Sequence, residues 1–437
     1  MKKNYLLAAL LLIFAIFTGC FNDKDDNNNS NNNELPVLTT QEKQQGYKLD
    51  TNENVTFVLT EDLFKSQLTT GAAITSINVA GSFNGWTKNA ASWVMTKTAD
   101  SIWTLSKTKE EVLIPGNSGH PEFKFVIFTT EPDATTKENW MQPPTGLAAR
   151  YSFLQKPNDR NTLVIFGNDS LTDIIADETQ AMTIKTSESD FATVEQMTNF
   201  RNVKTGNIGT AVLFRSYHPF IPSRTTDTTL KDIEALKQSK LEGLMAANGI
   251  KSIINLSENM PGTSGTQLLK DADGKYYFIY KSVTYYANPT YQTALESGNV
   301  LNHETSYNTV YYGSTTDDYA KLMKDVCDFV KTHDAPFMVH CRLGTDRTGT
   351  VTAFLEALMG ATWGEIAAEY NKSNEQAFRE FRDAKILKYS FEKLLGKKIN
   401  DTDKLDTDII NYLKTNTNIK YSDDDITKIR EKLAAKN

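Results

Sequence analysis

Cysteine is scarce in this chain: three residues, at positions 20, 327 and 341, among 437. So few exclude a disulfide framework and leave stability to a buried core. Five histidines without metal-ligand spacing imply no metal site, and no other cofactor is implied. Basic excess is missing as well, with 47 Lys and Arg against 54 Asp and Glu, which argues against a nucleic-acid partner. No run of 18 apolar residues is present, so no spanning helix is expected. What remains, 39% hydrophobic and 23% charged residues, is globular in composition and long enough for two or three domains.

The amino terminus reads as an address. Lys2-Lys3 precedes an apolar run from Leu6 to Phe17, a length that suits a signal-peptide core. Phe17-Thr18-Gly19-Cys20 resembles the lipobox of bacterial lipoproteins, a resemblance that implies cleavage before Cys20 and lipidation of its sulfur. Acyl chains contribute about 0.8 kcal/mol of membrane attachment per buried CH₂. Asp23 to Asp26 and the Asn-rich 27–33 follow as a polar tract that cannot bury a core. The expected location is the bacterial cell envelope, lipid-anchored at the outer membrane and on the surface if the acidic tract is an export signal.

From Tyr47 to about Asn168 the pattern is one of short strands and turns. Val55 to Leu59, Ile74 to Val79 and Phe123 to Phe128 are β-branched or aromatic runs, and Gly81-Ser82-Phe83-Asn84-Gly85 supplies turn chemistry. This spacing predicts an immunoglobulin-like β-sandwich. The order Gly81 to Trp86, Trp103, Phe123-Lys124-Phe125, Trp140 and Asn161 resembles the glycogen- and starch-binding modules of the isoamylase and AMP-kinase β-subunit type. The resemblance implies an α-glucan ligand held by Trp86, Lys124, Trp140 and Asn161. Indole rings suit the apolar faces of glucose. A sandwich that only spaces or docks the second domain is the alternative.

Chemistry concentrates at 340–349. The apolar stretch Pro336 to Val339 runs into His340-Cys341-Arg342-Leu343-Gly344-Thr345-Asp346-Arg347-Thr348-Gly349, and the nearly apolar Thr350 to Met359 predicts a buried helix behind it. A strand, a tight loop and a helix amino terminus build an anion cradle from backbone N–H groups. A cysteine in such a cradle has its thiol pKa lowered, to roughly 3.5–7.5. Arg347, separated from Cys341 by five residues, can grip two phosphate oxygens with its planar fork. Thr348 can hydrogen-bond the sulfur.

The loop carries the Cys-x5-Arg-Thr signature and resembles that of the protein tyrosine phosphatase superfamily. Asn199-Phe200-Arg201-Asn202 and Val212 to Ser216 resemble the opening of the bacterial tyrosine/phosphoinositide phosphatases, and Gly360 to Trp363 and Glu365 to Asn374 resemble their downstream helices. Where many of these enzymes carry Lys, this chain has Thr345, and Arg342 is the candidate to replace that positive charge. His340, Arg342, Leu343, Gly344, Thr345 and Gly349 are thus the expected phosphate-binding loop, and Cys341, Arg347, Asp346 and Thr348 the expected catalytic set. For the general acid the resemblance implies Asp346, with Asp317 or Asp318 as alternatives that also read as helix caps. Cys327 reads as core, or as a redox partner of Cys341. Arg201 and Arg215 read as supports of the loop or as buried ion-pair members.

The organisation expected is a signal peptide (1–19), lipidated Cys20 and tether (20–46), a β-sandwich (47–170), a linker with a helical start to the next domain (171–195), an α/β tyrosine-phosphatase-like domain with a central parallel or mixed sheet (196–399) and a helical appendage (400–437). The expected function is a cysteine-dependent phosphatase acting on phosphotyrosine, phosphoinositide or inositol phosphate, or phospho-glucan. The rival is a glycan-binding surface lipoprotein whose phosphatase-like domain only binds phosphate.

Overall fold

A computed structural model describes residues 38–434 apart from 100, 157, 168–170, 225–226 and 379, so the signal segment and Cys20 lie outside the described residues. The expected tether ends earlier than 46. Thr39 and Glu42 form a reciprocal capping box that starts a helix at Thr40–Gln45, and Gly46 O accepts from Val58 N at 2.8 Å.

Two antiparallel sheets follow. Tyr47–Leu49, Val55–Thr60, Ile102–Lys107 and Thr96–Ala99 make the first in that spatial order. Ala73–Gly81, Glu122–Thr130, Asp159–Leu163 and Ser152–Lys156 make the second, with Thr136–Trp140 also paired to Glu122–Thr130. Alternation turns Phe57, Ile77, Val79, Phe123 and Phe125 into one core that both sheets share. Trp93 belongs to that core and Trp103 packs on it.

The second region is built on a five-stranded sheet in the order Arg201–Val203, Leu213–Ser216, Phe337–His340, Ser252–Asn255, Val300–Asn302. Only the first pair is antiparallel. Phe337 and Val339 face one core and Met338 the other, because side chains alternate across a strand covered on both faces. Helix Asp346–Leu358 leaves the central strand and is buried along nearly its whole length. A three-stranded insert, Leu269–Lys270, Tyr276–Tyr280 and Val283–Tyr286, stands beside the carboxyl ends of the parallel strands.

Two boundaries are corrected. Helices Asp406–Thr415 and Asp423–Ala434 place Ile409, Leu413, Ile426, Ile429 and Leu433 in the same core as Val339, so 400–437 is no appendage. Their apolar residues recur every three or four positions and need partner faces, which helix Asp346–Leu358 supplies for the first and helix Asp317–Thr332 for the second. The expected linker is likewise largely structural. Leu171–Met182 is a helix, and its Ala181 joins Phe153, Leu163 and Phe381 in a small core between the two regions. Among the described residues no helix is long and apolar enough to cross a membrane.

Candidate active site

The loop at 341–345 leaves the carboxyl end of the central strand, the edge at which open parallel sheets hold ligands. Its backbone is held from outside. Asn199 Nδ2 and Gln376 Nε2 donate to Leu343 O at 3.1 and 3.2 Å, and Arg215 Nη2 donates to Gly344 O at 2.6 Å and Thr345 O at 3.3 Å. His218 N donates to Arg342 O at 3.1 Å, and His340 Nδ1 to Cys341 O at 3.3 Å. With every carbonyl from 341 to 345 engaged outward, the N–H groups are left for the concave side of the loop, which begins at Cys341 and ends where the helix starts at Asp346. Gly344 has φ +73°, and a Cβ there would lie 2.2 Å from Ser216 O, so this turn admits glycine.

Two arginines on neighbouring strands support the loop, Arg215 directly and Arg201 through Asn199. Arg201 Nε and Arg215 Nη1 both donate to Glu369, at 2.5 and 2.6 Å, and Arg215 is fully buried. Burial opposes charge on Glu369, yet the two guanidiniums hold its carboxyl below the usual range. Removing one member of such a cluster strands the others. Glu369→Ala should therefore lower unfolding stability by about 3–5 kcal/mol, read as a shift of the urea midpoint at unchanged slope. A midpoint equal to that of the unaltered chain would refute this role.

His340 is buried, and that burial pushes its pKa well below the ordinary value. Its neutral ring donates from Nδ1 to Cys341 O, while Nε2 faces the Tyr291 hydroxyl at 3.1 Å. Arg347 Nη1 donates to Leu256 O and Thr305 O, at 2.9 and 3.2 Å. These carbonyls follow two strands of the sheet, so the guanidinium is docked by one nitrogen across the sheet edge. Thr348 Oγ1 is buried and takes no hydrogen bond among the described residues, which leaves it free for the sulfur.

Arg342 does not replace the charge missing at Thr345. Its Nη2 lies 3.0 Å from Glu258 Oε1, and its guanidinium stacks on Phe278 and Tyr280, at 4.7 and 5.1 Å from the ring centroids. Burial works to raise the Glu258 pKa, but His218 and Arg342 bring it down to about 2. Neutral His218, its pKa lowered by burial, accepts from Phe220 N and Ile221 N at Nδ1, so Nε2 donates to Glu258 Oε2 at 3.1 Å. Thr345 Oγ1 lies 3.5 Å from Gln376 Nε2.

Asp346 opens the helix after the loop. Its Oδ1 accepts from Tyr311 Oη at 2.9 Å and from Arg382 Nε at 2.8 Å, while Oδ2 takes no hydrogen bond among the described residues. Asp317 and Asp318 are exposed in the first turn of helix Asp317–Thr332, where Thr316 is the cap and Asp317 accepts from Asn418. No contact joins either to the loop, among the described residues. Cys327 is core, and burial raises its thiol pKa to about 12. Among the described residues no group of His, Cys, Asp or Glu is arranged to hold a metal.

The sequence reading overlooked His218, Glu258, Tyr311, Glu369 and Arg382. One signal was there to use: His218 and Glu258 each lie within three residues of the carboxyl end of a parallel strand. The others sit on helices or segments far along the chain.

A second cleft lies in the β region. Trp86, Lys124, Trp140 and Asn161, the four residues expected there, line one cavity of about 440 Å³ together with Gln142 and Asp159. Trp86 has φ +58°, a left-handed conformation that bulky residues rarely adopt, and its N–H is tied to Gly81 O at 2.8 Å. Trp140 is 37% exposed. Lys124 pairs with Asp159, and Asn161 Nδ2 donates to Glu122 Oε2 at 2.8 Å.

Residues 192–435, more than half of the chain, match the model of a family described as the tyrosine phosphatase family. No curated protein matches the chain.

Proposed function

The chain belongs to the tyrosine phosphatase family and is a phosphoric monoester hydrolase, and from that membership we propose that Cys341 carries the reaction through a thiophosphoryl intermediate. The observation that supports this is the outward engagement of the loop carbonyls between Cys341 and the helix that starts at Asp346. The Cys341 thiolate attacks phosphorus in line. The S–P bond forms as the bond to the ester oxygen breaks, and that oxygen keeps the electron pair and takes a proton from Asp346 Oδ2. Loop N–H groups and Arg347 stabilise the three equatorial oxygens. Water then attacks phosphorus and returns a proton to Asp346, and the S–P bond breaks onto sulfur, which accepts a hydrogen bond from Thr348. Inorganic phosphate leaves.

A panel of phosphotyrosine peptide, phosphoinositides, inositol hexakisphosphate and phosphorylated glucan, given to the full chain without added metal, tests the substrate class. One observation favours phosphorylated α-glucan: two indoles, a lysine and an asparagine converge on one cleft of the β region. Trp86→Ala and Trp140→Ala should each weaken maltoheptaose binding about tenfold in calorimetric titration, about 1.4 kcal/mol. Affinity in both variants equal to that of the unaltered chain would remove the cleft, and with it the argument for glucan.

A further inference from the structure

The phosphatase region and the β region meet at the segment that holds Asp346. Arg382 lies at the centre of that meeting, 8% exposed. Its Nε donates to Asp346 Oδ1 at 2.8 Å, its Nη1 to Phe381 O at 2.8 Å and its Nη2 to Glu380 Oε1 at 2.8 Å. Asn374 fixes its backbone from the other side, with Arg382 N to Oδ1 and Nδ2 to Arg382 O both at 2.9 Å. The guanidinium also rests over the Tyr307 ring, 5.5 Å from its centroid.

Each flank of this arginine is held by the β region. Phe381 packs on Phe153, ring centroids 5.9 Å apart, within the small core shared with Leu163. Asp383 N donates to Asn117 O at 2.9 Å, and Tyr307 Oη donates to Asn117 Oδ1 at 2.8 Å. Tyr312 Oη adds a bond to Pro115 O at 3.1 Å. The 115–119 loop is itself pinned, because Glu122 Oε1 accepts from Ser118 N and Ser118 Oγ, both at 2.8 Å. At Gly119, with φ +78°, a Cβ would come within 2.8 Å of Asp383 Cγ, so the two segments are in close contact.

We propose that the β region is a working part of the phosphatase site: loop 115–119 and Phe153 clamp Phe381–Asp383 and so hold Arg382 as a positioning residue on Asp346, one residue from Arg347. The inference rests on the reading of Cys341 and Asp346 given above, and deepens it. Arg382 touches no substrate. It fixes Asp346 Oδ1, so that Oδ2 presents to the leaving oxygen in one orientation, and a loosened carboxylate loses rate rather than phosphate affinity.

The test uses the full chain with p-nitrophenyl phosphate, and active sites counted by alkylation of Cys341. Arg382→Gln, and separately Asn117→Ala combined with Phe153→Leu, should each lower kcat per active site by between about tenfold and about a hundredfold. KM and the inhibition constant of inorganic phosphate should stay within about twofold, because the cradle is untouched. Arg382→Lys should regain at least about threefold over Arg382→Gln by restoring a charged donor. Thr98→Ala, exposed on the far sheet of the β region, should match the unaltered chain. If Arg382→Gln does not fold, the β-region pair of substitutions decides. An unaltered kcat in that pair overturns the proposal, as does a parallel change in KM. Should Cys341→Ser keep its turnover, the underlying catalytic reading fails; lost turnover there with full kcat in the β-region pair sinks the coupling alone.

Discussion

Cys341→Ser is expected to leave turnover of p-nitrophenyl phosphate at least about 10⁴-fold below that of the unaltered chain. A serine hydroxyl is a weak nucleophile unless an adjacent base takes its proton, and no such base is in place. The neutral His340 ring spends Nδ1 on Cys341 O and faces Tyr291 with Nε2. His218 is committed to Glu258 and to two backbone N–H groups. Asp346 is tied through Oδ1 to Tyr311 and Arg382. The substitution removes no N–H of the loop and no group of Arg347, so inorganic phosphate should still bind within about threefold. Initial rates and calorimetric phosphate titration read the two parts separately. Turnover within tenfold of the unaltered chain would end the cysteine mechanism.

The second large effect is expected at Arg347. Its Nη1 is anchored on Leu256 O and Thr305 O, at the same carboxyl edge of the sheet from which the loop leaves. Arg347→Ala removes a planar donor aimed at the oxygens that gain charge in the transition state, a loss of about 10³ in kcat, or about 4 kcal/mol. Arg347→Lys keeps the charge but loses the planar fork, in which one nitrogen docks on the carbonyls and the others stay available to phosphate oxygens, and is expected to recover no more than about tenfold. Steady-state kinetics with phosphate inhibition distinguish this from a folding defect, since a misfolded loop would lose phosphate altogether. A lysine variant as fast as the unaltered chain would show that charge alone suffices.

The strand, loop and helix around Cys341 were legible because their determinants are local. An apolar run, a Cys, a Gly at the one turn position with φ +73°, and an Arg on the first turn of an apolar helix sit within a few residues of one another. The β strands were legible for the same reason, since alternation has a period of two. The four residues assigned to the cleft also converge on one cavity. A family pattern carried their mutual placement, which local spacing does not contain. The role of Arg342 was not legible: a basic residue beside the nucleophile reads as a phosphate ligand until Glu258, 84 positions away, is seen to neutralise it.

By itself the sequence singled out Cys341 as the proposed nucleophile and Arg347 as the proposed phosphate ligand, and determined the strand and helix that flank their loop and the stretches that form strands. Tertiary structure decided what fixes those groups. Asn199 reaches Leu343 across 144 positions, Arg215 reaches Gly344 across 129, and Arg382 reaches Asp346 across 36. It also decided that the C-terminal helices complete the core and that Phe153 and Asn117 of the β region brace the segment carrying Arg382. Secondary structure follows from neighbours two to four residues apart, whereas a buried charge takes whichever partner the packed fold brings within about 3 Å, and no periodicity in the chain records that choice.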